Sequence, residues 1–153
     1  MVRRAAARGI RDIESARHML PNSENRSAAI LVVDDDEFIL EFVSLLLVRA
    51  GYLVLTAQNG EEAWALIKGN SHGIRLLLTD IVMPDSFDGF ELAERVRKHQ
   101  PDLPILLMTG AALQEYPPAV LLAWEPMLLR KPFSPDRLLK FVQENLGGAN
   151  QSI

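Results

Sequence analysis

Four short apolar runs in this chain each end in polar residues that suit phosphate or metal chemistry. The runs cover residues 30–33, 76–79, 105–108 and 127–130, and the polar residues that follow them are Asp34, Asp35 and Asp36, then Asp80, Thr109 and Lys131. Carboxylates are ligands that a divalent cation such as Mg²⁺ prefers, while an ammonium and a hydroxyl can hold phosphoryl oxygens. If the four runs are strands of one sheet, a single edge therefore collects the groups needed for phosphoryl transfer.

The runs have the pattern of buried parallel strands, because they lack polar alternation and are separated by segments of helix length. Residues 52–56 supply a further strand, whose alternation predicts a less buried position. Right-handed crossovers then place helices on both faces of the sheet, so we predict a doubly wound α/β domain of five βα units. In such sheets ligands bind outside the carboxyl ends of the strands, which is where the polar residues fall.

Capping and turn residues divide the rest of the chain into helices. Asp36, Asp88 and Ser134 are predicted N-caps, and Gly51 follows the end of the first helix. We expect Asp36 to cap its helix rather than to join the site. The predicted helices cover residues 38–49, 61–68, 89–98 and 118–124, with a last helix that ends near Leu146.

Composition predicts one domain and excludes several classes of site. The chain has 153 residues and is 48% hydrophobic, which suffices for a single core. It contains no cysteine, which excludes disulfides and thiolate chemistry, and its three histidines lack the spacing of metal ligands. No apolar stretch approaches the roughly 20 residues of a membrane span, and no signal peptide is recognisable, so a cytoplasmic location is favoured.

Charge is unevenly distributed along the chain. Residues 1–28 contain six arginines and three acidic residues, so they carry +3, and the remainder carries −7 of the total of −4. An acidic domain without a basic stripe is poorly suited to nucleic acid. We predict that residues 1–28 form a flexible basic extension, with a docking helix or a self-association arm as alternatives, and that residues 147–153 form a polar tail.

Five separated motifs resemble the receiver domain of two-component response regulators. They are Asp34-Asp35, the segment from Asp80 to Met83-Pro84, Asp88-Gly89, Thr109 and Lys131-Pro132-Phe133, and the similarity covers residues 29–146. The resemblance implies a flavodoxin-like sheet of order 2-1-3-4-5. It also implies a phosphoacceptor domain that is not an enzyme, beyond catalysing its own phosphorylation and dephosphorylation.

The resemblance assigns a role to each motif residue. Asp80 would be the phosphoacceptor, Thr109 the switch hydroxyl, and Lys131 the lysine that pairs with the phosphoryl group. The implied ligands of Mg²⁺ are Asp34, Asp35, Asp80 and the carbonyl of Val82. The chemistry of these residue types supports the implied role of Asp80, because an aspartate can act as a nucleophile in phosphoryl transfer once its surroundings neutralise charge.

The family also implies partners. A sensor histidine kinase or a histidine phosphotransfer protein would donate the phosphoryl group, and an unidentified protein would receive the signal. A homodimer through the fourth helix, fifth strand and fifth helix is left open. The alternative function is an interaction module that keeps the fold but works without phosphorylation. A small-phosphoester hydrolase that uses Asp34-Asp35-Asp36 is a more distant alternative, and no P-loop or GxGxxG sequence supports nucleotide binding.

Three features depart from the common pattern of the family. The loop at residues 85–87 is one residue longer than usual. Leu128, three residues before Lys131, stands where many receivers have a tyrosine or phenylalanine. The residues after Leu146 are too few for an output module, so we expect a stand-alone receiver.

Overall fold

The computed structural model describes residues 29–69, 73–84, 87–110 and 113–150, with side chains described as far as residue 146. It contains one parallel sheet of five strands in the order β2-β1-β3-β4-β5, as predicted. The strands are β1 (Ala29–Val33), β2 (Leu53–Ala57), β3 (Ile74–Asp80), β4 (Ile105–Thr109) and β5 (Leu128–Arg130). The neighbouring strands β1 and β3 therefore lie side by side although two helices and one strand separate them in sequence.

Within the described residues, five α-helices connect and cover the strands. They are α1 (Glu37–Arg49), α2 (Gly60–Gly69), α3 (Gly89–His99), α4 (Pro118–Trp124) and α5 (Pro135–Asn150). Short 3-10 turns at Leu113–Glu115 and Glu125–Met127 flank α4. Within the described ranges, no helix is long and apolar enough to cross a lipid bilayer.

The predicted caps are confirmed. Asp36 accepts hydrogen bonds from the backbone N–H groups of Phe38 and Ile39 at the start of α1, and Asp88 accepts one from Glu91 in α3. The Ser134 hydroxyl accepts a hydrogen bond from the N–H of Arg137. These contacts satisfy N–H groups that the first turn of a helix leaves without partners. Helices α1 and α5 begin within five residues of the ends of β1 and β5, whereas α3 begins nine residues after β3 ends.

Alternate residues of the buried strands face two separate cores. Leu31 of β1 packs in the core beneath α2 and α3, whereas Ile30 packs in the core beneath α1 and α5. All residues of β1 and β4 are buried, as expected for inner strands with helices on both faces. The edge strand β2 alternates between buried and half-buried residues, which confirms its predicted position.

The prediction that the last helix ends near Leu146 is wrong, because α5 continues to Asn150 through Gly147 and Gly148. Glycine inside a helix costs about 1 kcal/mol relative to alanine, but it does not break the backbone hydrogen bonds. By contrast, α1 does end before Gly51, which has a φ of 98° that favours glycine. The predictions for residues 1–28, 85–86 and 151–153 lie outside the described residues.

Candidate functional site

Three carboxylates meet at the carboxyl edge of the two central strands. Asp34 follows β1, Asp80 ends β3, and Asp35 comes directly after Asp34; one oxygen from each lies within 4.8 Å of the others. The parallel register aligns Val33 with Thr79, so the residues that follow them are brought side by side. The carboxylates predicted from sequence to form one cluster therefore do so.

Lys131 lies between two of these carboxylates. Its Nζ donates a hydrogen bond to Asp34 Oδ2 at 2.9 Å and to Asp80 Oδ1 at 3.4 Å. The backbone N–H of Lys131 donates to the carbonyl oxygen of Thr109 at 2.7 Å, which fixes the chain just beyond β5. The ammonium group thus offsets part of the repulsion between Asp34 and Asp80.

Asp34 is the most buried of the three acids and is held at both oxygens. Its side chain is 1% exposed, and while Oδ2 accepts from Lys131, Oδ1 accepts from the N–H of Asp36 at 2.9 Å. Asp36 in turn caps α1. Two linked hydrogen bonds, from Asp36 to Asp34 and from the first turn of α1 to Asp36, therefore connect the helix to the acidic cluster.

The surroundings of the cluster shift the pKa values of its members. Burial, followed by the negative charge of Asp34, raises the pKa of Asp80 from its ordinary 3.8 to about 6, although Lys131 acts in the opposite direction. Burial also raises the pKa of Asp35, with a further contribution from the charge of Asp34. Burial tends to lower the pKa of Lys131, but the hydrogen bond to Asp34 and the charge of Asp80 outweigh it and raise that pKa. The negative charges of Asp34 and Asp80 repel each other, so the site gains stability when a proton or a cation binds there.

Thr109 ends β4, the strand next to Asp80. In the register of β3 and β4, Asp80 lies opposite Met108, so Thr109 stands one residue beyond it. The residue is 3% exposed, and its Oγ1 has no hydrogen-bond partner in the part of the chain that the structure describes. Buried hydroxyl groups are usually paired, so this one is available to a ligand at the carboxyl edge.

Val82 lies in the loop after Asp80 and is exposed. The loop is anchored on either side, because Ile81 donates its N–H to Met108 and accepts a hydrogen bond from the N–H of Gly89 at 2.7 Å. A Cβ atom at Gly89 would overlap the carbonyl oxygen of Asp80 and lie 2.7 Å from the Cα of Ile81. Glycine is therefore required at position 89 to let α3 begin against the strand end, a reason that the motif alone does not reveal.

Sequence reasoning missed one residue near the site. Tyr116, in the segment between β4 and α4, packs its ring edge-on against Phe90 with centroids 4.8 Å apart, and its hydroxyl lies 3.4 Å from Asp88. No motif signals these contacts, because they join the segment before α4 to the start of α3 through side chains far apart in sequence. Leu128, by comparison, is a half-buried residue at the start of β5.

The arrangement suits a hard cation and a phosphoryl group. Mg²⁺ binds oxygen ligands and keeps several waters, so the facing oxygens of Asp34, Asp35 and Asp80 match its donor preference. Asp35 is exposed, which leaves the cluster accessible from solvent. A lysine ammonium and an unpaired hydroxyl flank the same edge, where both could contact the oxygens of a bound phosphoryl group.

Known proteins share this fold and these motifs. The family model of the response regulator receiver domain matches residues 30–143. CpdR, a response regulator receiver protein of Brucella abortus (strain 2308), is 36% identical over 117 residues, which cover 76% of this chain and 95% of CpdR. The crystal structure of a CheY-like receiver domain protein from Methanospirillum hungatei JF-1 has a TM-score of 0.71 and 29% identity, covering 82% of this chain and 98% of that one.

Some relatives are much longer. The DNA-binding transcriptional regulator NtrC of Rhizobium meliloti (strain 1021) is 42% identical over 83 residues, which cover 54% of this chain and only 16% of NtrC. The similarity to NtrC therefore concerns only part of that protein, and this chain spans a small share of its length. The family model and the near full-length match to CpdR show that this chain belongs to the receiver domain family of two-component response regulators.

Proposed function

We propose that this receiver accepts a phosphoryl group on Asp80 in the presence of Mg²⁺ and transmits the signal through protein–protein contact. The observation that carries the proposal is the convergence of Asp34, Asp35, Asp80 and Lys131, with the lysine Nζ within 3.4 Å of both Asp34 and Asp80. Neither a structural salt bridge nor a helix cap requires three carboxylates at one strand edge. Phosphoryl transfer to an aspartate gives this cluster a use, because the reaction depends on a positioned nucleophile and on charge neutralisation by a cation that carboxylates can hold.

In the proposed reaction, a carboxylate oxygen of Asp80 attacks the phosphorus of the donor in line with the bond to the leaving group. A P–O bond to Asp80 forms, the bond to the donor breaks, and the product is an acyl phosphate. Bound Mg²⁺, held by Asp34, Asp35, Asp80 and the carbonyl of Val82, would supply charge neutralisation for the phosphoryl oxygens. Lys131 exchanges its contact with Asp80 for one with the phosphoryl group.

The proposal extends to boundaries, location and partners. Residues 29–146 form the receiver, residues 1–28 a basic extension, and residues 147–153 a polar tail whose first four residues continue helix α5, in a cytoplasmic protein. The phosphoryl group comes from a sensor histidine kinase or a histidine phosphotransfer protein, and another protein reads the result. The competing function, an interaction module that ignores phosphorylation, leaves the buried unpaired hydroxyl of Thr109 without a use.

Phosphorylation with a small donor tests this function directly. Incubation with acetyl phosphate and Mg²⁺ is expected to add one phosphoryl group to the wild-type protein, seen as an intact-mass increase, and none in excess chelator. The Asp80→Asn variant is expected to remain unlabelled, because an amide oxygen is a far weaker nucleophile than a carboxylate. An Asp36→Asn variant keeps the capping oxygen and serves as the control that should still be labelled. Undiminished labelling of the Asp80→Asn variant would refute the assignment.

Removal of one metal ligand gives a second prediction. The Asp35→Ala variant is expected to bind Mg²⁺ at least about tenfold more weakly and to lose labelling in parallel, because an exposed carboxylate of the cluster is gone. Its stability in chelator should equal or exceed that of the wild type, since one repulsive charge has been removed. Thermal unfolding with increasing Mg²⁺ measures both effects, because a ligand that binds only the folded state raises its stability. Equal Mg²⁺ affinity in the two proteins would exclude Asp35 as a ligand.

The route by which the signal leaves the site gives a third prediction. Thr109 and Lys131 begin the segments that lead into the face formed by α4, β5 and α5, where Leu122 is 72% exposed. A phosphoryl group that binds both side chains should therefore change the conformation of residues 109–131. We expect phosphorylation to change hydrogen exchange or amide chemical shifts mainly there, with a modest loop movement in place of an aromatic rotamer change at Leu128. Changes confined to the surroundings of Asp80 would exclude this route.

A further inference from the structure

Helix α1 presents an unusual apolar surface. Among the described residues, six large hydrophobic side chains are exposed, and four of them lie on this one helix. Their exposed fractions are 83% for Phe38, 42% for Phe42, 52% for Leu45 and 53% for Val48. Single exposed apolar residues are ordinary in proteins, but a contiguous set on one element indicates a binding surface.

The four side chains share one face of the helix. With about 100° between successive residues, positions 38, 42, 45 and 48 fall within an arc of about 120°. The opposite face contains the buried residues Leu40, Val43 and Leu47, which pack on the sheet. The exposed face is thus separate from the one that stabilises the domain.

Two charged residues lie within the same arc. Glu41 and Arg49 are both exposed, and within the described ranges neither forms an ion pair. In order along the helix, the exposed stripe is Phe38, Glu41, Phe42, Leu45, Val48 and Arg49. The stripe is therefore acidic toward its start, apolar in the middle and basic at its end.

This order makes the stripe complementary to a second copy of itself. Glu41 and Arg49 each lie four residues from Leu45, in opposite directions, and Phe42 and Val48 each lie three residues from it. When two such helices run antiparallel about a two-fold axis at Leu45, each Glu41 faces the Arg49 of the other copy. A two-fold interface uses the same patch on both subunits and demands this kind of self-complementarity.

We propose that the exposed face of α1 is an interface between two copies of this chain, with the helices antiparallel and Leu45 on the two-fold axis. The interface is separate from the α4, β5 and α5 face and does not depend on phosphorylation of Asp80. One helix of 13 residues is a small contact surface, below the roughly 1,200 Å² of standard specific interfaces. The dimer is therefore weak and forms in a concentration-dependent way.

Charge reversal on the full-length chain tests the pairing, with sedimentation velocity over a range of concentrations as the measurement. Wild-type protein is expected to dimerise reversibly. The Arg49→Glu and Glu41→Arg variants are each expected to raise the dissociation constant at least about tenfold, because like charges then face each other twice in the dimer. The double variant, Glu41→Arg with Arg49→Glu, is expected to recover most of the affinity, since both ion pairs re-form with reversed sign.

Two further variants separate this interface from its competitors. Leu45→Glu places two charges on the axis and should abolish the dimer, while Leu122→Glu on α4 should leave it unchanged. Circular dichroism and the thermal midpoint confirm that each variant is folded. The proposal is overturned by a wild-type protein that stays monomeric at all concentrations, by a dimer lost in Leu122→Glu but kept in Leu45→Glu, or by a double reversal that does not restore association. A dimer that Leu45→Glu leaves intact, but that disappears when residues 1–28 are removed, also overturns it.

Discussion

Replacement of Lys131 by methionine is expected to lower the free energy of unfolding of the metal-free protein by about 3 kcal/mol at neutral pH. Methionine keeps much of the length of the side chain but leaves Asp34, which is 1% exposed, without the ammonium that lies 2.9 Å away. Asp80 loses its 3.4 Å contact in the same step. Two carboxylates near the sheet edge then repel each other with no cation between them, and an uncompensated buried charge is costly.

Chemical denaturation in chelator measures the loss, and Lys140→Met provides the matched control. Lys140 forms a surface ion pair with Glu144 at 4.0 Å, and the two side chains are 77% and 59% exposed. Such pairs contribute at most about 1 kcal/mol, so this variant should stay close to the wild type. Mg²⁺ should restore part of the stability of Lys131→Met, since a bound cation also offsets the carboxylate charges. Equal stabilities of the two variants in chelator would show that Lys131 has no electrostatic role in the metal-free site.

The sequence predicted which side chains lie at the carboxyl edge of the sheet, because the ends of the strands are easy to recognise in the sequence. Each site residue comes directly after an apolar run, and in a parallel sheet those positions fall on one edge whatever the details of packing. Asp36 was separated from the site for a similarly local reason, since a cap is defined by the N–H groups that follow it. Strand ends and N-caps were therefore predicted correctly from local sequence, whereas the glycines after Leu146 did not mark the end of α5.

Features that depend on side chains from distant elements were not predicted. The hydrogen bond between Lys131 and Asp34 was not among the sequence predictions, because it joins residues 97 positions apart, and the contact of Lys131 with a phosphoryl group stays a prediction. The contact between Tyr116 and Asp88 joins residues 28 positions apart through tertiary packing alone. Nine of the 13 residues of helix α1 are apolar, so hydrophobicity alone did not show which of them face the sheet and which remain exposed.

The raised pKa of Asp80 leads to a prediction about pH. With a pKa of about 6 in the folded protein and an ordinary value of 3.8, Asp80 keeps its proton in the folded state over a range where the unfolded chain has lost it. In that window the folded state binds more protons than the unfolded state. The free energy of unfolding therefore falls as pH rises from about 4 to about 6. For one group shifted by this amount, the loss is at most about 3 kcal/mol, and it is smaller where solvent reaches the carboxyl.

The Asp80→Asn variant isolates this effect, because asparagine has the shape of the protonated acid and cannot titrate. Below pH 4 we expect the free energies of unfolding of the variant and of the metal-free wild type to differ by an amount that does not change with pH. Between pH 4 and 6 the free energy of unfolding of the wild type should fall by about 2 kcal/mol relative to that of the variant, and above pH 6 the difference should stay constant. Lys131 keeps its 2.9 Å contact with Asp34 in the variant, so the main cation partner is preserved. Denaturation at a series of pH values in chelator measures the difference, and carbon NMR of the Asp80 carboxyl group follows the titration itself. Parallel stability curves, or a carboxyl group that titrates near 3.8, would show that neither burial nor Asp34 holds a proton on Asp80 in the metal-free site.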